Sequence, residues 1–367
     1  MSSSETHPGR RRGARALAWA AVLAAGLACW AISLAGDQPR AFRALLVNFI
    51  FFAPLATGMV VWSAVVTASR GRWSGPVHSL ALAGISFAPV SILALAGLWA
   101  GYPHWASWTF PQYQPLGQGA YLAPTAVFVR DLICLVILCL LALLYVRRRT
   151  RSRPGGLAGG LIVVYCLVWT LLAQDLVMSL DPRWSSMLFG GYFFVSGMYA
   201  AVAAWTLAAL LLKPPDADRM HDLGKLIVTF SLLTTYCMFS QLLVIWYENL
   251  PREAPFVLAR LRRTPDMYYS LALLCVVYLG PLVLLLTRWA KRNRWFLGVV
   301  SLAVLAGLWL ERWWLVTPTI LGPQAPLQLG LAEIGLTAAC LAALALGISW
   351  AHRRLESRTD FEAVEQS

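Results

Sequence analysis

The sequence predicts an all-α, polytopic membrane protein, and three observations predict it. Apolar runs of about 20 residues, long enough as helix to cross a hydrocarbon core of about 30 Å, recur along nearly the whole chain. Hydrophobic residues make up 59% of the 367 and charged residues 13%, with a mean hydropathy of +0.64, so there is too little polar surface to cover a soluble domain of this size. The short alternating segments of a membrane barrel are absent, and in lipid a lone segment satisfies its own amides only as a helix.

About ten runs follow in order: 14–35, 44–68, 77–100, 122–146, 157–178, 187–212, 223–247, 267–290, 295–317 and 328–350. The first follows an arginine-rich stretch, but its apolar part exceeds 20 residues and has no clear small-x-small cleavage site, so it reads as a helix rather than a signal peptide. In the second, Asn48, Pro54 and Gly58 mark kinks, as do Pro89 in the third and Pro281 in the eighth. Between the fifth and sixth, SLDPRW stops one helix and turns the chain, because Asp-Pro disfavours further helix. Trp184 there is expected to anchor at the membrane interface, with Gly190, Gly191 and Gly197 allowing close helix approach beside Phe189, Tyr192, Phe193 and Phe194. Hydroxyls such as Ser86, Thr229, Ser231, Thr234 and Thr235 read as hydrogen-bonding across helices or back to their own backbone.

A net charge of +13 does not signal nucleic acid, because the Lys and Arg sit at helix ends with no soluble basic domain. They set orientation instead. With the N-terminus inside, 21 of the 30 cationic residues fall on the cytoplasmic side, including Arg10, Arg11, Arg12, Arg147, Arg148, Arg149, Arg151 and Arg153. Both termini are therefore expected in the cytoplasm, with tails at 1–13 and 351–367 and the membrane domain at 14–350. The loops near 101–121, 179–186 and 248–266 are expected outside; the last carries Arg252, Arg260, Arg262 and Arg263 and reads as a partly amphipathic surface segment.

All seven cysteines lie inside predicted helices without CxxC or CxxCH, so no covalently bound haem or iron–sulfur cluster is expected, and no metal site. The five histidines sit near helix ends or in loops, which leaves no facing pair for a b-type haem. Redox chemistry involving this protein would use centres in other subunits.

Ionisable groups within hydrocarbon are costly and usually face a bundle interior or a wet cavity. The sequence offers Arg130 and Asp131 in the fourth run, Asp175 in the fifth, Glu248 ending the seventh, Glu311 and Arg312 in the ninth, and Glu333 in the tenth. All lie toward the expected outer side. Two readings stand: ion pairs that fix packing, or an outward-facing half-channel lined by Asp131, Asp175, Glu248, Glu311 and Glu333, with Arg130 and Arg312 holding some acids ionised and protons or a polar headgroup as the occupant.

Two stretches carry a resemblance. "MSLDPRWSSMLFGGYFFVSG" at 178–197 and "DLGKLIVTFSLLTTYCMFSQLLVIWYENLPREAPF" at 222–256 resemble the corresponding segments of the homologous membrane subunits of alternative complex III, a bacterial quinol:electron-acceptor oxidoreductase. These belong with the polysulfide-reductase-like membrane anchors. The resemblance implies two four-helix bundles, about 44–178 and 187–317, with two peripheral helices. It implies the shorter, F-type subunit, in the bacterial cytoplasmic membrane, partnered by a longer homologous ten-helix subunit, an iron–sulfur subunit and multihaem cytochrome subunits. Its role would be scaffolding and proton conduction, with no redox centre of its own and quinone or quinol bound in the complex. The turn motif is Asp181, Pro182, Arg183 and Trp184; Arg183 stands where the family carries His, which points away from quinol deprotonation by this chain. The alternative is a free-standing secondary transporter or proton-coupled carrier, though broken helices with midplane charges would suit that better than charges gathered toward one face.

Overall fold

The computed structural model describes residues 8–71, 73–110, 120–149, 156–248, 251, 253–262, 264–321 and 329–365. The expected tail residues 1–7, residues 111–119 of the uncharged loop 101–121, and Arg151, Arg153, Arg252 and Arg263 lie outside the described residues. Every regular element among those described is helical, and ten helices are long and apolar enough to cross a membrane. In chain order these are α1 (Gly13–Gly36), α2 (Gln38–Ala68), α3 (His78–Ala100), α4 (Pro124–Arg149), α5 (Leu157–Leu180), α6 (Phe189–Leu212), α7 (Ala217–Glu248), α8 (Asp266–Leu284), α9 (Arg294–Leu321) and α10 (Leu331–Leu355).

Helices α2 to α5 pack in a closed ring, each against the next and α5 back against α2. A second ring is built the same way from α6 to α9. The rings join chiefly where α2 meets α6, with α9 also against α2. Small residues make that seam possible: a Cβ on Gly58 would sit 2.9 Å from Ala201 Cβ, and one on Gly197 3.0 Å from Pro54 Cβ. Interfaces of this kind rely on close backbone approach, because lipid supplies no hydrophobic drive between helices. Accordingly α2 is buried along its whole apolar span. Helix α1 stays largely exposed and pairs with α10, Gly26 lying directly against the Gly335 carbonyl.

Three helices differ from simple rods. In α3 a 3-10 stretch, Ala83–Phe87, precedes Pro89 and presses Gly84 onto the backbone of Ala56. In α8 a π-turn, Leu274–Leu279, takes up the missing amide of Pro281. That helix stops at Leu284 rather than near 290, and a short helix Arg288–Arg292 follows, with Lys291 Nζ donating to the carbonyls of Leu285 (2.6 Å) and Leu286 (3.0 Å). Finally, α10 continues as helix to Glu365, through the stretch expected to be a polar tail.

Loop contacts sort the connections onto two sides. On one, Ser107 Oγ donates to Leu180 O at 2.5 Å and Arg40 meets Glu333; this is called the turn side. On the other, Arg219 Nε donates to Trp73 O (3.1 Å), Arg294 Nη2 to Leu210 O (2.6 Å), and Ser79 Oγ pairs with His352 Nδ1 (3.1 Å). That is the arginine side, since Arg147, Arg148 and Arg149 end α4 there.

Candidate functional site

The ionisable residues singled out by sequence are distributed over separate places. Within the first ring, Asp175 of α5 receives Arg130 of α4 through Nε (2.9 Å) and Nη2 (2.5 Å) on one carboxylate oxygen. Tyr121 donates to the other at 3.2 Å, and the guanidinium stacks 4.1 Å over its ring. Burial, then the Asp175 charge, raise the Tyr121 phenol above its ordinary pKa, so it remains the donor. Asp131, one residue after Arg130, is fully buried beside Asp175, and no donor reaches either of its oxygens.

Inside the second ring stand Glu311 and Arg312 of α9, 0% and 1% exposed. Successive helix positions diverge by about 100°, so the two side chains leave α9 toward different neighbours. Glu311 Oε1 accepts from Tyr278 of α8 at 2.5 Å, and the Tyr192 hydroxyl of α6 lies 3.3 Å from that of Tyr278. Arg312 Nη2 donates to Ser196 Oγ at 2.5 Å, with its guanidinium 4.1 Å over Phe193. The two charges face each other at 3.3 Å between Nη1 and Oε2, yet neither of those atoms nor Arg312 Nε makes a well-directed hydrogen bond. A buried ion pair normally fills its remaining donors and acceptors. This one leaves an acceptor and two donor nitrogens without a hydrogen bond.

The other two acids stand apart. Glu333 of α10 makes a two-point pair with Arg40 of α2 (2.8 and 2.9 Å) and caps its own helix through the amide of Gly330 (3.0 Å). Glu248 is exposed at the end of α7. The structure therefore joins Asp131 with Asp175 and Arg130, and Glu311 with Arg312, but does not gather all five acids into one cluster.

The turn motif behaves differently from expectation at one residue. Asp181 Oδ1 accepts from the Arg183 amide and its Nε, both at 3.2 Å, as an Asp-Pro turn requires. Trp184, expected as an interfacial anchor, is instead buried: it stacks on Phe256 with centroids 4.0 Å apart and planes 3° apart, and meets Phe189 edge-on. Phe256 belongs to a short helix, Ala254–Arg262, that folds over the turn-side end of the second ring and supplies the cover. Of the three glycines, Gly190 abuts Thr170 and Gly197 abuts Tyr165 and Pro54, whereas Gly191 faces nothing closer than Leu188 at 3.6 Å.

Beneath that cover is a cavity of about 350 Å³ lined by α6, α7, α8, α9 and the short helix, almost wholly apolar, with Tyr192 and Tyr278 in its wall. It follows α7 from Thr235 to Ile245, about 15 Å of helix. Arg260 of the short helix also lines it, 2% exposed, bound to the carbonyls of Phe256, Trp314 and Leu315 and to Thr319 Oγ1. Burial lowers this guanidinium to about 9, which leaves it charged at neutral pH.

The sequence marked Tyr192 only as a packing aromatic and gave no sign of a site role for Tyr278, Gln241 or His78. His78 sits near the arginine side in a chain of hydrogen bonds: Ser74 Oγ at 3.1 Å, Ser63 Oγ at 2.7 Å, then Tyr145 and Thr67. A tyrosine or histidine in an apolar run looks like packing until its neighbours are known, so only the partners reveal these networks.

Ten helices long and apolar enough to span, eight of them in two rings and two alongside, define this chain as a multi-pass membrane protein. No protein-family model matches it, and no curated protein matches it either.

Proposed function

We propose that the chain is an integral subunit of a bacterial quinol-oxidising respiratory complex of the alternative complex III type. In this reading it lies in the cytoplasmic membrane with both termini inside, scaffolds the iron–sulfur, multihaem and longer ten-helix partners, and moves protons through the Glu311–Arg312 centre. Electrons pass through the partners. One observation carries the assignment: the two stretches that resemble the family, 178–197 and 222–256, lie on the neighbouring helices α6 and α7 and meet on the turn side, Trp184 stacking on Phe256 and both lining one cavity. The underfilled ion pair beside that cavity supports the proton role, since Tyr192 and Tyr278 link the cavity wall to Glu311.

Isolation from native membranes in mild detergent tests the assignment. The tagged chain should co-purify with haem-bearing and iron–sulfur subunits in a preparation that oxidises quinol. A stable lone protein would favour the transporter alternative.

A further inference from the structure

Asp131 stands early in α4 with its side chain 0% exposed, and neither of its carboxyl oxygens receives a hydrogen bond. It lies beside Asp175 of α5, within hydrogen-bonding reach of it once a proton stands between them. An ionised carboxyl in that place would hold a full charge inside a spanning helix with nothing to solvate it, against a second carboxylate that repels it. Three species could relieve the charge: a water, a metal cation or a proton. The first two need space. Neither Asp131 oxygen has accessible surface, so no water-sized void touches them. A cation would also need several oxygen ligands, whereas Asp175 already serves Arg130 through two bonds and Tyr121 through one. A proton needs no volume, and it supplies the donor that the two acids lack.

The same bonds decide which acid holds it. Protonating Asp175 would strand Arg130, whose Nε and Nη2 both rest on one Asp175 oxygen. Protonating Asp131 cancels a charge that has no partner, and the new O–H meets a lone pair that Asp175 still has to offer. One carboxylate then balances one arginine. The groups acting on Asp131 are few: Asp175 faces it from α5, Arg130 and Cys134 flank it on α4, and Tyr121 lies in the turn before α4. Helices α2 and α3, which also pack on α4, contribute none of the charges that act on it.

We propose that Asp131 is a proton-binding site of the first ring, neutral in the resting protein, with its carboxyl O–H donating to the Asp175 carboxylate. Uptake adds one proton to one Asp131 oxygen; release leaves two carboxylates against a single arginine. Arg130 and Tyr121 are the members of the group that reach the surface, so exchange opens on the turn side. The site is separate from Glu311 in the second ring. It does not depend on membership of a respiratory complex, because the proton is read on the purified chain.

The test is infrared spectroscopy of the full chain in diether lipid, which has no ester carbonyl to mask a protonated carboxyl absorbing above the amide band. The native protein should show such a band at neutral and mildly alkaline pH, moved to lower frequency in deuterium oxide and unaffected by added sodium. Asp131→Asn keeps the shape and still donates to Asp175, so it should remove the band while leaving the thermal unfolding midpoint unchanged. Glu311→Gln should leave the band in place. Asp131→Glu should shift it, and this shift decides should the asparagine variant fail to accumulate. Absence of the band at neutral pH, its bleaching by sodium, its loss in Glu311→Gln, its survival in Asp131→Asn, or an unshifted band in Asp131→Glu overturns the proposal.

Discussion

Asp175 carries two bonds from Arg130 on a single carboxylate oxygen and one from Tyr121 on the other, with its side chain 1% exposed against 26% for Arg130. Removing one charge from such a pair leaves the other stranded, at a cost of about 3 kcal/mol. Asp175→Asn is therefore expected to lower the thermal unfolding midpoint of the purified protein by several degrees, and replacing Asp175 and Arg130 together by leucine should recover most of it. A single variant as stable as the parent would mean that the pair is solvated. Sequence identified Arg130, Asp131 and Asp175 because charge in an apolar run is conspicuous, and likewise Glu311 and Arg312. It did not show which acids meet, because pairing depends on which helix faces are adjacent. The same reason grouped Glu248 and Glu333 with the rest, although one is exposed and the other belongs to Arg40.

The elements depend on how closely they approach one another. Gly197 of α6 leaves room for Tyr165 and Pro54, so a methyl group there would meet the tyrosine oxygen at 2.7 Å. Gly197→Ala should cost about 1 to 3 kcal/mol through overpacking, read as reduced resistance to denaturing detergent, while Gly191→Ala should be neutral. Equal effects from both substitutions would show that helix propensity rather than the seam governs. Ten apolar runs were legible because length and hydropathy alone report them. The end of α8 was not, since Lys291 closes it from a later segment; nor was the burial of Trp184, which depends on a short helix seventy residues further along.

At the scale of the whole molecule, two rings share a seam of small residues, with α1 and α10 attached at the side. In the proposed orientation, which follows the arginine asymmetry, the turn side faces the periplasm. A cysteine placed at His104, in the connection after α3, should react with an impermeant maleimide in intact cells once the native cysteines are replaced; reaction only after lysis would invert the orientation. Inside the second ring, Glu311 keeps one buried oxygen without a hydrogen bond and is tied to the cavity wall by Tyr278 and Tyr192. The most direct measurement is proton release per quinol oxidised, across pH, by the isolated complex reconstituted in liposomes with and without Glu311→Gln, which retains shape and hydrogen bonding but cannot titrate. If Glu311 carries protons, the variant assembles normally and releases fewer protons for each quinol. Unchanged quinol oxidation and unchanged release at every pH would contradict it, leaving Glu311 as a packing residue.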